Sequence, residues 1–230
     1  MDRKLCTQKR YRVFLVDDHP IVRYGLTQLI NREPDLVVCG ESEGGATAIA
    51  SIGAAKPDAV VVDLTLEQSS GFSLIRELTA LDPQLPILVL TVHEEWLYAE
   101  RCLRAGAKGY LMKNEAMETV VPALRRVIEG KVYLSEKMQS KLLRSYGRRG
   151  YNEIASPLEK LSDRELEIFR LLGQGSGTRQ IAKLLNLSVS TVESHRARIK
   201  EKLDLRNAVE LLRHAVKWVE IERESASDAR

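Results

Sequence analysis

Residues 57–71 read PDAVVVDLTLEQSSG. Ala59 to Val62 are small or apolar, and Asp63 follows them directly. A short apolar run of this kind, opened by a proline, reads as a strand buried on both faces. An ionised carboxylate at the end of such a strand is costly unless a partner or a cation meets it. What Asp63 does therefore depends on what the rest of the chain brings to that strand end.

On either side of DAVVVD (58–63) the first 130 residues repeat one alternation. Strand-like runs are YRVFLV (11–16), DLVVCG (35–40), PILVLT (86–91) and KGYLMK (108–113). Between them IVRYGLTQLINR (21–32) has apolar residues at 21, 22, 26, 29 and 30, which is helical spacing. ATAIASIGAAK, FSLIRELTALD and EEWLYAERCLRAG continue the series, the last ending at Gly106. METVVPALRRVIEG (117–130) closes it at Gly130, with Pro122 awkward inside a helix. The pattern is (βα)5, which calls for an α/β fold, a doubly wound parallel sheet with helices on both faces. Ligands of such sheets bind beyond the carboxyl ends of the strands.

Five polar residues fall at those ends. Asp17 and Asp18 follow the first strand, Asp63 ends the third, Thr91 the fourth and Lys113 the fifth. Carboxylates brought together repel unless a cation joins them, and hard oxygen donors suit Mg2+. A carboxylate there is also a nucleophile able to form an acyl phosphate. Lys113 and a metal would neutralise phosphoryl oxygens, and Thr91 would donate a hydrogen bond.

The second half differs. Residues 10–130 carry 12 basic and 17 acidic side chains, a net −5; residues 131–154 carry six and two, +4; residues 155–222 carry 12 and 10, +2. A basic second part suits nucleic acid, although +2 alone is a weak signal. Residues 131–156 read as a connector, with SEKMQSKLLRSY as one helix and YGRRGYNE (146–153) as an exposed linker. From Leu161 only helices follow. Ser162 and Glu165 make a capping box, and Gly173 and Gly175 end the first helix. TRQIAKLLNL, SVSTVESHRARIKEKL and NAVELLRHAVKWVEIE are three more, with Ser188 or Ser190 as N-cap of the third. Ala208, Leu211, Leu212, Ala215 and Val219 form an apolar stripe on the fourth. A tight turn near Asn186–Ser188 joins two helices held by Ile181, Leu184, Leu185, Leu187, Val192, Ile199 and Leu203. The outer face of the later helix carries Ser190, Thr191, Glu193, Ser194, Arg196, Ala197, Arg198, Lys200 and Lys202. Hydroxyls at its start and cations further on fit a helix in a major groove; an ordinary solvated helix is the plain alternative.

No apolar run reaches the ~18 residues of a membrane span, and MDRKLCTQKR has no apolar signal core. Cys6, Cys39 and Cys102 are scattered and odd in number, which reads as free thiols in a reducing cytosol. A cytoplasmic protein is expected.

VDDHP (16–20), VVVDLTLEQSSG (60–71), ILVLT (87–91) and AGAKGYLMK (105–113) together resemble the receiver domain of two-component response regulators. The resemblance covers about residues 10–130. It implies Asp63 as phosphoacceptor, Mg2+ held by Asp18, Asp63 and the Thr65 carbonyl with Asp17 acting largely through water, and Thr91 and Lys113 on the phosphoryl group. Tyr110 falls at the family's switch aromatic. His93 stands where receivers tune dephosphorylation, and His19 reads as a surface or capping residue. Leu66 and Glu67 replace a frequent Met-Pro, and Asn114 replaces a frequent proline after the lysine. An aspartyl phosphatase, which usually has a second Asp two residues on, is disfavoured by Thr65.

LSDRELEIFRLLGQGSGTRQIAKLLNLSVSTVESHRARIKEKLDL resembles the helix-turn-helix domain of the LuxR/NarL type, covering residues 157–222. The resemblance implies a small all-α four-helix domain. Glu193, Ser194 and Ala197 would face bases, while Thr191, Arg198 and Lys202 would touch phosphates, with Ser190 beside them. Glu193 departs from the commoner basic residue and would accept from a cytosine amine. His195 belongs to the motif or to helix packing. The fourth helix, 206–221, would pair two domains on two half-sites.

The reading is a NarL/FixJ-type response regulator: receiver 10–130, linker 131–156, DNA-binding domain 157–222. It is not a turnover enzyme, though it accepts and loses a phosphoryl group. Its partners are a sensor histidine kinase, a double-stranded DNA operator, a second copy on DNA, and RNA polymerase as a further candidate. In the resting state the receiver is expected to occlude the recognition helix. The rivals are a relay module without DNA output and a DNA-binding regulator independent of phosphorylation.

Overall fold

The computed structural model describes residues 10–44, 46–66, 69–147 and 157–227. By contact they fall into two units. One holds the residues up to Thr91 with Cys102–Ser135, the other Val92–Arg101 with the residues from Glu136 on. Most of the YGRRGYNE segment, and Cys6, lie outside the described residues.

In chain order the α/β part runs β1 (Tyr11–Val16), α1 (Pro20–Asn31), β2 (Leu36–Ser42), α2 (Ala46–Ala55), β3 (Ala59–Val62), β4 (Thr65–Leu66), β5 (Ser69–Ser70), α3 (Gly71–Leu81), β6 (Ile87–Thr91), α4 (Glu95–Ala105), β7 (Gly109–Met112) and α5 (Ala116–Ile128). Five of the strands form one parallel sheet in the order β2-β1-β3-β6-β7. The inner strands β3 and β6 and the second half of β1 are buried throughout, as covered sheet faces require, whereas the edge strand β2 is mostly half-buried and ends in Gly40, Glu41 and Ser42. Val13, Leu15, Val61, Leu88, Leu90 and Leu111 pack with Leu26 and Ile30 of α1 and Ala123, Leu124 and Val127 of α5. Phe14, Val16, Val60, Val62, Val89 and Tyr110 alternate with them and are equally buried.

The chain order reverses at β1, which lies between β2 and β3, and such a reversal opens a crevice at the carboxyl ends. One element is new relative to the sequence reading, and one expected helix holds despite its proline. Residues 65–66 and 69–70, assigned no element by the sequence reading, form a short antiparallel ribbon, β4–β5, directly after Asp63. Pro122 does not interrupt α5, which runs on through it. A proline removes one N–H bond and crowds the preceding turn; here the fully buried Ala123, Leu124 and Val127 on the same helix hold it together.

The helical part consists of α6 (Glu136–Gly147), a short 3-10 turn (Pro157–Lys160), α7 (Asp163–Gly173), α8 (Thr178–Leu184), α9 (Val189–Lys202) and α10 (Ala208–Ser227). The Ser162–Glu165 capping box starts α7, and Ser188 caps α9 by accepting from the Thr191 N–H at 3.0 Å. Asn186 adopts φ 51° in the α8–α9 turn. Leu166, Phe169, Ile181, Val192, Ile199, Leu211 and Ala215 are all buried, and α7 packs on both α9 and α10. Of the apolar stripe on α10, Leu211, Ala215 and Val219 pack inward. Leu212 at 46 % and Val209 at 75 % are exposed. No helix among the described residues is long and apolar enough to cross a membrane.

Candidate functional sites

Strand register builds the acidic pocket. Val16 pairs with Val62, so Asp17 and Asp63 emerge side by side, and the Asp63 N–H donates to the Val16 carbonyl at 2.8 Å. Thr91 pairs with Met112, which sets Thr91 beside Lys113. Lys113 Nζ lies 2.7 Å from Asp63 Oδ2 and 2.6 Å from Asp17 Oδ2. The Thr65 N–H donates to Asp63 Oδ1 at 3.1 Å. Asp17, Asp63 and Thr91 are buried.

Burial is the largest influence on Asp63 and pushes its carboxyl above the ordinary range, against the pull of Lys113. Burial also weighs on Lys113, but Asp63 and Asp17 outweigh it and hold the ammonium above its usual value. One ammonium thus serves two buried carboxylates, and Asp63 holds a proton more readily than a solvated aspartate does. Ligand atoms of Asp17, Asp18, His19 and Asp63 all lie within 4.8 Å of one another. Three carboxylates with so little compensating charge fit a hard divalent cation.

Three neighbours were not singled out by sequence, or were read differently. His19 occupies the N-cap position of α1 without capping it. Its Nδ1 instead lies 3.2 Å from Asp17 Oδ1 and 2.7 Å from Asp18 Oδ1. Arg23 donates from Nη1 to the Asp17 carbonyl at 2.6 Å, and from Nε to Glu41 at 3.0 Å. Gly71 begins α3 hard against the Asp63 carbonyl oxygen, where a Cβ would overlap it. No local pattern announces the Arg23 and Gly71 roles; only the doubled Asp before His19 hints at the first. Tyr110 is almost wholly buried, and His93 is buried and stacked on Tyr98 with ring centroids 4.8 Å apart.

On α9, Ser190, Glu193, Ser194, Ala197, Arg198 and Lys202 are exposed and Thr191 half-buried. The hydroxyls of Ser188, Ser190 and Thr191 form a cluster with separations of 2.7 and 2.8 Å. Ser194 Oγ donates to the Ser190 carbonyl at 3.0 Å. Two charged residues assigned to DNA by sequence are paired with opposite charges inside the protein. Lys202 Nζ meets Glu165 Oε2 at 2.6 Å, and Glu193 Oε1 accepts from Thr178 and Arg196. His195 Nδ1 is buried without a hydrogen bond, and burial depresses its pKa, which fits a packing role.

Comparison with known proteins follows the same division. Residues 13–125 match the family described as response regulator receiver domain, and residues 159–215 the bacterial regulatory proteins of the luxR family. The chain is 34% identical to the oxygen regulatory protein NreC of Staphylococcus haemolyticus over 210 residues, 90% of this chain and 97% of that one. It resembles the structure of the RcsB response regulator of Salmonella typhimurium at 26% identity and a TM-score of 0.71, covering 91% of this chain and 98% of that one. It also resembles RcsB of Salmonella enterica serovar Typhimurium bound to a promoter in the presence of the phosphomimetic BeF3−, at 27% identity and a TM-score of 0.68, covering 90% and 98%.

Proposed function

Because the chain belongs to the two-component response regulators with a receiver domain and a LuxR-type DNA-binding domain, we propose that phosphoryl transfer from a sensor histidine kinase to Asp63 governs its binding to double-stranded DNA. The observation that carries this reading is the buried Asp63 carboxylate between Lys113 and the Thr65 N–H, beside Asp17.

An Asp63 oxygen attacks the phosphorus of the kinase phosphohistidine; the new O–P bond forms as the P–N bond breaks and the imidazole leaves. Lys113 shifts from balancing two carboxylates to balancing the phosphoryl oxygens, and the Thr91 hydroxyl donates to one of them. Asp17, Asp18, Asp63 and the Thr65 carbonyl would hold Mg2+, which supplies charge neutralisation and orientation of the donor. Water later hydrolyses the acyl phosphate, so the protein resets itself without turning over a substrate. Tyr110, on the strand that leads into Lys113, is the aromatic we assign to the switch, and His93 is assigned to tuning the lifetime of the phosphoryl group.

At the output, Ser190, Thr191, Ser194, Ala197 and Arg198 present hydroxyls, a small side chain and a cation on one exposed face of α9, suited to a major groove. Val209 and Leu212 leave an apolar edge on α10 suited to pairing two copies over two half-sites. RNA polymerase is a further partner in this reading, and a DNA target assigns the protein to the cytoplasm. In the resting protein the receiver withholds α9 from DNA.

The test is intact mass after incubation with Mg2+ and a small phosphodonor, for wild type and Asp63→Asn, followed by DNA selection and titration. A single phosphoryl gain confined to wild type, with tighter operator binding, is expected. Equal operator affinity with and without the phosphoryl group would falsify the control we assign to it.

A further inference from the structure

Glu193 projects from an exposed position on α9, yet its carboxylate is engaged. Thr178 Oγ1 donates to Glu193 Oε1 at 2.9 Å, Arg196 Nη1 donates to the same oxygen at 2.8 Å, and Arg196 Nη1 lies 2.6 Å from Thr178 Oγ1. The three groups close a ring between the first residue of α8 and two residues three apart on α9. The Arg196 side chain is 20% exposed and its Nε is buried without a partner. Its engaged end is therefore the one that points at Glu193.

A hydroxyl and a guanidinium converging on one anionic oxygen is the arrangement with which a helix-turn-helix grips a DNA phosphate. The first helix of that motif crosses the backbone, and its opening residue here is Thr178. Glu193 supplies the anion from within the protein. We propose that Glu193 is an intramolecular counter-ion that withholds Arg196 and Thr178 from phosphate and so holds down the sequence-independent part of DNA affinity. It is a positioning residue acting through Arg196, not a reader of bases. The proposal rests on the reading that α9 faces DNA.

The consequence is quantitative. Each phosphate newly neutralised steepens the dependence of log K on log salt by about 0.9, worth about eightfold in affinity at 0.1 M salt and vanishing near 1 M. The sequence-independent term needs no operator, so the probe is a mixed-sequence DNA duplex, with the full-length protein, across a range of salt. The proteins are wild type, Glu193→Gln, Arg196→Ala and the double variant, with Glu193→Ala as a second probe of the carboxylate. Circular dichroism on each separates lost contact from lost fold.

Glu193→Gln should bind tighter by about that factor with the slope steeper by about one unit. Arg196→Ala should leave the wild-type slope unchanged, and the double variant should return to it. A gain that survives in the double variant overturns the proposal, since Glu193 then repels DNA directly. So does a lower slope for Arg196→Ala alone. A changed preferred sequence for Glu193→Gln from a random duplex library, at unchanged slope, makes Glu193 a base reader and overturns it as well. If wild type binds and no variant alters binding, the placement of α9 on DNA is what fails.

Discussion

Lys202 Nζ lies 2.6 Å from Glu165 Oε2, joining the last turn of α9 to the first turn of α7. The same Glu165 oxygen accepts from the Ser162 N–H at 2.7 Å, so one buried carboxylate caps a helix and ties down another. Burial by itself would raise its pKa; Lys202 and the Ser162 donors more than reverse that, and the carboxyl sits below its ordinary range.

Glu165→Gln keeps a capping acceptor but loses the charge pair. We expect a loss of about 1–2 kcal/mol, discounted because Lys202 is partly solvated. Because the folded pKa is depressed, the contribution is complete above the unfolded glutamate value of about 4.3 and disappears as pH falls through the lower folded value. Urea midpoints of wild type and variant should therefore converge in acid. Lys202→Gln should cost stability while shifting the salt slope of DNA binding by well under one unit; a full-unit loss would return Lys202 to the phosphate contacts.

Asp63 is balanced the opposite way. Its folded pKa is raised by burial, so the folded protein binds a proton more readily than the unfolded chain. Stability then falls as pH rises from the unfolded aspartate value of about 3.9 through the higher folded value. At neutral pH, in a chelator, Asp63→Asn should be more stable than wild type by about 1–2 kcal/mol, since Lys113 keeps Asp17 as partner. Mg2+ should narrow the gap. A less stable variant in chelator would mean that the Asp63–Lys113 pair is a net support of the fold.

How far the sequence could be read follows from the range of the forces involved. The inner strands were legible because a strand buried on both faces must be apolar throughout, and Asp63 stood out against the run of β3. The β4–β5 ribbon was not, because two residues a side carry no periodicity. Pro122 looked awkward on local grounds, yet the helix read through it stands, because a proline's cost is fixed by its own turn while the packing that offsets it comes from the sheet. The pocket residues were found from strand ends alone, whereas the Arg23 link to the Asp17 carbonyl depends on how α1 lies over β1. Glu193 was placed on the outer face of its helix and is exposed there, but its partner belongs to α8, and only the angle between the two helices brings them together.

Arg23 should matter to metal binding without touching the metal. It holds the Asp17 carbonyl and, through Glu41 and Glu43, the end of β2 and the residue that follows it. Loss of a group that orients a ligating residue typically weakens metal binding by tenfold or more. Arg23→Gln should raise the Mg2+ dissociation constant by about tenfold in calorimetric titration. Arg23→Lys, which keeps the charge but loses the fork of donors, should recover little. Tighter Mg2+ binding by Arg23→Gln would show instead that the guanidinium acts mainly by repelling the cation.

Gly71 and Gly53 make a contrast of position. A Cβ on Gly71 would overlap the Asp63 carbonyl oxygen and sit 2.5 Å from Leu64 Cα, both of them backbone, so the chain carrying Asp63 must move. Gly53 lies inside α2 with nothing within 4 Å of a Cβ. Gly71→Ala should therefore cost about 2–3 kcal/mol, the scale of overpacking against an unyielding neighbour. It should also slow phosphoryl uptake, because Asp63 no longer meets Lys113 at its native separation. Gly53→Ala should gain about 0.5–1 kcal/mol from helix propensity and leave uptake unchanged. Thermal denaturation and intact-mass time courses on both variants check this. Native uptake by Gly71→Ala would mean that the segment after β3 can shift without disturbing the phosphoacceptor.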